Sequence, residues 1–198
     1  MLHLPALIRK AALNSDEATV ATVARVMRHG GSLYRDVVDR KPPGAFVLYR
    51  LLEPVFGDWT LTAARWVALA AIVTAMWILA FEARRRWPSV SVFAVALMGV
   101  AAFSLLPAED SRAAGFELLA TLPAVAAFVL GARRRVVLAG VCLGLAALFK
   151  QPMLLGALPL AVQCLTDPVR ACTTSRTTWG RRLLRLVSAG MATTVTVL

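Results

Sequence analysis

The 198-residue chain is short of charge, histidine, cysteine and lysine, and each shortage closes off a kind of chemistry. Only 17% of residues are charged and 59% are apolar, against about 25% and about 45–50% in soluble domains. That balance excludes a disordered chain and argues against an ordinary soluble enzyme. The two histidines, His3 and His29, are far apart in the chain and indicate no zinc site. The three cysteines, Cys142, Cys164 and Cys172, form neither an even framework nor a metal-ligand spacing. Cys142 and Cys164 lie in apolar runs and read as small hydrophobes. No cofactor is indicated; a divalent metal is compatible with the chain but nothing in it supports one. Lysine occurs only at Lys10, Lys41 and Lys150, so arginine carries nearly all the positive charge, a bias associated with GC-rich bacterial genomes.

What the chain does have is a net charge of +11 and a mean hydropathy of +0.68. Basicity alone would suit nucleic acid or an anionic surface, and the distribution decides. The arginines fall in short clusters between apolar blocks, Arg84-Arg85-Arg86, Arg133-Arg134-Arg135 and Arg181-Arg182. Cytoplasmic loops of membrane proteins have this pattern. No basic stripe on one face calls for nucleic acid.

The blocks themselves predict the layout. Residues 14–29 predict an amphipathic helix, with Asn14 as cap and Glu17 as its capping-box partner. Val20, Val23, Ala24 and Met27 form its apolar stripe, and Gly30-Gly31 ends it. It is too short to cross a bilayer and suits the interface. A charged loop, residues 32–43, ends in Pro42-Pro43, and a second short helix runs from Gly44 to Phe56. Spans are expected over 61–81, 90–106 and 113–132. Residues 136–166 make two short passes broken at Lys150-Gln151-Pro152, and residues 183–198 begin a last span. The fold class expected is therefore all-α, a polytopic transmembrane bundle, with residues 1–60 as an outer loop carrying the chemistry and 61–198 as about six membrane helices. Placing the arginine clusters inside puts residues 14–60 outside. That outer segment still holds eight basic residues against six acids, which does not favour export. An upstream span would resolve the conflict, and the last apolar run stops abruptly, so both ends look truncated.

Several residues invite a chemical reading beside a plainer one. Asp16-Glu17 at a helix start beside a membrane offers a general base; acids there also simply stabilise the helix dipole. In Asp39-Arg40-Lys41-Pro42-Pro43, a Lys held by a rigid turn offers a point charge for phosphate; the same loop suits plain contact with lipid headgroups. Glu117 is a carboxylate in an apolar span, a functional candidate, or an acid level with the interface. Lys150-Gln151-Pro152 is a break of the kind found lining cavities, or a simple reentrant turn.

Taken together, Asp16-Glu17, Ala24-Arg25-x-Met27, Gly30-Gly31, Asp39-Arg40-Lys41-Pro42-Pro43, Phe56-Gly57 and Arg65 resemble the first outer loop of the GT-C glycosyltransferases. The nearest likeness is to family 39 and to the aminoarabinose and galacturonic-acid transferases of lipid A and core sugars. Residues 144–152, Gly-Leu-Ala-Ala-Leu-Phe-Lys-Gln-Pro, are similar to a later segment of that family, and Glu117 sits where many relatives keep an acid. The resemblance covers about residues 14–160. It implies inverting sugar transfer from a polyprenyl-phosphate donor to an acceptor hydroxyl, outside a bacterial cytoplasmic membrane, with membrane lipid as a partner and the acceptor unknown. Asp16 would be the catalytic base and Lys41 the donor-phosphate ligand. Glu17, Asp39, Arg40, Glu117, Lys150 and Gln151 would complete the substrate contacts. Thr19 stands where the lipid A branch has Arg, which leaves a second phosphate-binding cation unassigned. Two rivals belong to other classes. One is a non-catalytic membrane protein such as a flippase subunit. The other is a transporter broken at 150–152, which calls for an inverted repeat that is not evident.

Overall fold

The computed structural model describes residues 8, 12, 15–104 and 113–166. Among them the regular elements are helices, and the β pairing is a single bridge between Leu33 and Val37. The first helix, α1 (Ser15–Arg28), has acids in its first turn and Arg25 and Arg28 in its last, both matched to the helix dipole. Its stripe of Val20, Val23, Ala24 and Met27 is buried as the spacing requires. Gly30, at φ +94°, takes the left-handed conformation that releases the chain from the helix.

Residues 29–43 form a loop held by its own hydrogen bonds. The Tyr34 amide donates to the Val37 carbonyl (2.8 Å) and the Ser32 amide to Asp36 Oδ2 (2.7 Å). The Tyr34 hydroxyl donates to the Lys41 carbonyl (2.7 Å). Partial burial, with Asp39 nearby, pushes the Tyr34 phenol above its ordinary pKa and keeps that donor protonated. Pro42-Pro43 then leads into α2 (Gly44–Phe56). A 3₁₀ turn (Gly57–Trp59) connects it to α3 (Thr60–Arg86).

Helix α3 has 27 residues, about 40 Å of rise. The continuous run Gly44–Arg86 is long and apolar enough to cross a membrane, by length and composition. Ala64, Ala68, Ile72 and Ala75 make a buried stripe of mostly small residues on α3, which permits close helix approach. Helix α4 (Val92–Ser104) packs on α3. Helix α5 (Phe116–Ala132) packs on α3 and on α6 (Val136–Phe149). A second 3₁₀ turn (Gln151–Gly156) leads to α7 (Ala157–Thr166), which packs on α5 and α6. The helices expected over 61–81, 90–106 and 113–132 are thus present with shifted ends, and the expected break falls after Phe149. The later apolar helices are short, 10–17 residues. Asn14 and the span expected over 183–198 lie outside the described residues.

The core gathers where α1 and α2 cover the start of α3. Phe46 of α2 meets Phe116 of α5 edge-on, with centroids 6.0 Å apart. A β-carbon on Gly44 would stand 2.5 Å from the Leu148 carbonyl oxygen, so the start of α2 lies directly against the end of α6. That contact brings Lys41 and Lys150 to the same end of the bundle. Away from this core, Trp66, Trp77, Phe81, Phe93, Leu97 and Met98 are exposed on α3 and α4. Such an apolar surface suits lipid rather than water.

Candidate functional site

Adjacent residues on an α-helix point about 100° apart, and α1 uses that angle to send Asp16 and Glu17 to different places. Glu17 is 1% exposed. Its carboxylate takes two hydrogen bonds from Arg65 of α3, Nε to Oε1 at 2.8 Å and Nη2 to Oε2 at 2.6 Å. The Ala114 amide donates to Oε1 as well (3.2 Å). Glu17 is therefore a buried partner of Arg65, while the capping box expected with Asn14 lies outside the described residues. A guanidinium sealed in an apolar helix requires a carboxylate, and Glu17 supplies it. The fork clamps α1 to α3 and fixes the orientation of Asp16.

Asp16 faces outward, and Lys41 Nζ donates to its Oδ1 at 2.6 Å. The two side chains are 56% and 33% exposed. Asp39 shapes the loop beneath them: its Oδ1 accepts from the Lys41 amide (3.0 Å), so this carboxylate holds backbone in place. Lys41 Nζ also stands 4.9 Å over the Phe116 ring, a cation–π contact. The next residue, Glu117, accepts a hydrogen bond from Lys150 Nζ. Lys41 stands over the ring of Phe116, next to Glu117, and Gly44 lies against Leu148, two residues before Lys150, so the two ion pairs share one end of the bundle. Asp16, Lys41, Glu117 and Lys150 thus come together at one end of the bundle, two acids and two cations from four separate segments. Arg40 and Gln151 are exposed nearby in the chain. Thr19 bonds its hydroxyl back to the Ser15 carbonyl (2.8 Å). Among the described residues no three His, Cys, Asp or Glu side chains gather as metal ligands would.

The opposite end is built from arginine. Glu82, near the end of α3, pairs with Arg86 (3.3 Å) and with Arg133 after α5 (2.9 Å). The clusters 84–86 and 133–135 therefore share one end, and the acid–lysine quartet occupies the other.

Sequence reasoning missed the role of Arg65 and the importance of Glu53. A lone arginine inside an apolar run is itself the signal for a buried acid partner. Glu53 is 8% exposed on α2, with Arg25 and Arg28 of α1 each 3.6 Å from its Oε1. Tyr49 of α2 is fully buried as well.

Comparison with known proteins adds one result. No curated protein and no solved structure matches the chain. Residues 40–192 match the family described as dolichyl-phosphate-mannose-protein mannosyltransferase, a family of GT-C membrane glycosyltransferases. The match takes in Lys41, Arg65, Glu117 and Lys150 and begins downstream of Asp16. An all-helical chain whose matched region covers most of its length belongs to that family, and so to the GT-C glycosyltransferases.

Proposed function

We propose that the Asp16–Lys41 pair is the reacting centre for sugar transfer from a polyprenyl-phosphate donor to an acceptor hydroxyl. The observation that carries this is the contact itself: an exposed carboxylate and an exposed ammonium 2.6 Å apart, held by a buried clamp, at the end away from the arginine clusters. The arginine clusters mark the cytoplasmic side by the positive-inside rule, so the site faces outward, at the level of the headgroups of a bacterial cytoplasmic membrane that the chain crosses several times. A lipid-borne phosphate would lie there.

In the proposed reaction the acceptor oxygen attacks the anomeric carbon, and the bond from that carbon to the phosphate oxygen breaks. Asp16 takes the acceptor proton. The departing phosphate keeps the electron pair, and Lys41 neutralises the charge that develops on it. A single displacement of this kind inverts the anomeric centre. The phosphate competes with Asp16 for Lys41, so donor binding frees the carboxylate to act as base. Glu117 and Lys150 extend the polar surface on which the sugar or acceptor rests, and the exposed Arg40 lies where it can meet donor phosphate.

The test is transfer from a polyprenyl-phosphate hexose in membranes holding the full-length protein. Asp16→Asn and Lys41→Ala are expected to lower the rate by about 10²–10⁴ with normal protein levels. Unchanged transfer in either variant rejects the assignment. Arg40→Cys should react with an impermeant maleimide added outside intact cells. Reaction only after lysis would invert the topology.

A further inference from the structure

Lys41 is paired to Asp16 by one exposed contact, and in the proposed reaction that contact is given up when a donor phosphate takes the ammonium. An ammonium on a flexible four-carbon stem is then free to leave with the phosphate or turn into water, unless something else holds it. The Phe116 ring is in place to do so. Lys41 Nζ lies 4.9 Å from its centroid, inside the range of about 6 Å over which a ring face attracts a cation. Phe116 is 6% exposed, and at the first position of α5 it packs edge-on against Phe46 at an interplanar angle of 71°. That packing fixes the ring, so it can fix the lysine. The Lys41 side chain is 33% exposed, and an ammonium partly out of water is drawn to a ring more strongly than one at an open surface. A ring also differs from a carboxylate in what it leaves behind. It carries no net charge to cancel the ammonium's, so the full positive charge remains available to phosphate.

We propose that Phe116 is a positioning residue for the donor phosphate: its ring face holds the Lys41 ammonium in the site while Asp16 and the phosphate exchange it. The ammonium changes one anionic partner for the other without losing its place. The Tyr34 hydroxyl and the Asp39 carboxylate fix the Lys41 backbone, and the ring fixes the far end of the same side chain. This role rests on the proposed part of Lys41 as phosphate ligand. Its distinctive consequence is that affinity for phosphate depends on the π electrons of a buried ring that itself makes no bond to phosphate.

Farnesyl phosphate, a short-chain counterpart of the leaving group, is titrated by calorimetry into the full chain purified in detergent. Mono-, di- and trifluorinated phenylalanine are installed in turn at Phe116. Each fluorine draws electron density from the ring face at nearly constant size. Affinity should fall stepwise, to about fivefold weaker for the trifluorinated ring, at an unchanged melting temperature. Phe116→cyclohexylalanine, as bulky but without a π face, should bind at least as weakly. The same changes made in Lys41→Ala should have no further effect. A flat fluorinated series, or a cyclohexyl ring that binds as phenylalanine does, leaves Phe116 as packing alone and overturns the proposal. An equal stepwise loss in Lys41→Ala overturns it as well. Where the cyclohexyl form fails to fold, or Lys41→Ala binds too weakly to titrate, the fluorinated series decides by itself. The ring and the lysine fail separately. A flat series with binding weakened in Lys41→Ala rejects the ring and keeps Lys41 as phosphate ligand, whereas unchanged binding in Lys41→Ala rejects both.

Discussion

Asp16 and Glu17 are neighbours in the chain and both bind a cation, yet they belong to different parts of the physics. The Glu17–Arg65 pair is sealed from water, with two short hydrogen bonds in a fork and a third from the Ala114 amide. The Asp16–Lys41 pair makes one contact and is half in solvent. A buried fork is fixed because breaking it strands a charge. An exposed single contact is held weakly, by about 0–1 kcal/mol, and is free to exchange partners. The difference separates a fixed support from an exchangeable pair, and the proposed role of Asp16 as base needs both: one acid fixing the helix and the other free to act.

Removing Arg65 is the strongest way to break this comparison. Arg65→Ala leaves the Glu17 carboxylate buried and uncompensated, a loss of about 3–5 kcal/mol from a total stability of roughly 5–15 kcal/mol. The expected result is a protein that melts far below the unaltered one in detergent or fails to accumulate. The double variant Glu17→Leu/Arg65→Met should recover most of the stability, because two apolar side chains of similar volume remove both desolvation costs. A double variant no better than the single one would show that the clamp is not the cause.

Asp16→Asn sharpens the same contrast from the other side. Transfer should drop by about 10²–10⁴ while the melting free energy changes by less than about 1 kcal/mol. An equally large loss of stability would place Asp16 with Glu17 as a structural residue, and the two would no longer differ in kind.

How far the sequence showed this arrangement depends on the range of the interaction. Short-range periodicity was legible: the helix expected over 14–29 is Ser15–Arg28, and Val20, Val23, Ala24 and Met27 are its buried face. The segment 44–56 is a helix with the expected ends, and the interruption at Lys150-Gln151-Pro152 is a real one. The pairing of Glu17 with Arg65 was not legible, because it joins residues 48 apart in the chain and no local pattern reports it. The capping-box spacing offered Glu17 a nearer partner in Asn14 and gave no hint of the distant one. Asp16, Lys41, Glu117 and Lys150 could each be named as candidates, but their meeting at one end depends on α2 resting against the end of α6. Glu53 carries no local signal of a tertiary role. Its buried oxygen becomes visible only once Arg25 and Arg28 of another helix stand beside it.

That contact between α2 and α6 gives the next prediction in size. A methyl group at Gly44 would meet the Leu148 backbone at 2.5–2.8 Å, and backbone cannot swing aside as a side chain can. Gly44→Ala should cost about 1–3 kcal/mol by forcing the helix ends apart. The shift carries Lys41 away from Lys150, so transfer should fall by more than the loss of folded protein explains. A variant that loses stability and activity in proportion would separate the helix contact from the geometry of the quartet.

The smallest effect is expected at the arginine end. Glu82 is nearly buried, but its partners Arg86 and Arg133 are 47% and 41% exposed. Glu82→Gln keeps a carbonyl oxygen for one of them, and both guanidiniums can turn toward water or phosphate headgroups. The change should cost less than about 1 kcal/mol and leave transfer unaltered, because the proposed reacting pair lies at the other end of the bundle. Transfer lost in Glu82→Gln at a normal melting temperature would mean that the two ends are coupled along α3. A rigid helix of that length would then transmit a charge change from the arginine-rich turns to the Asp16–Lys41 pair.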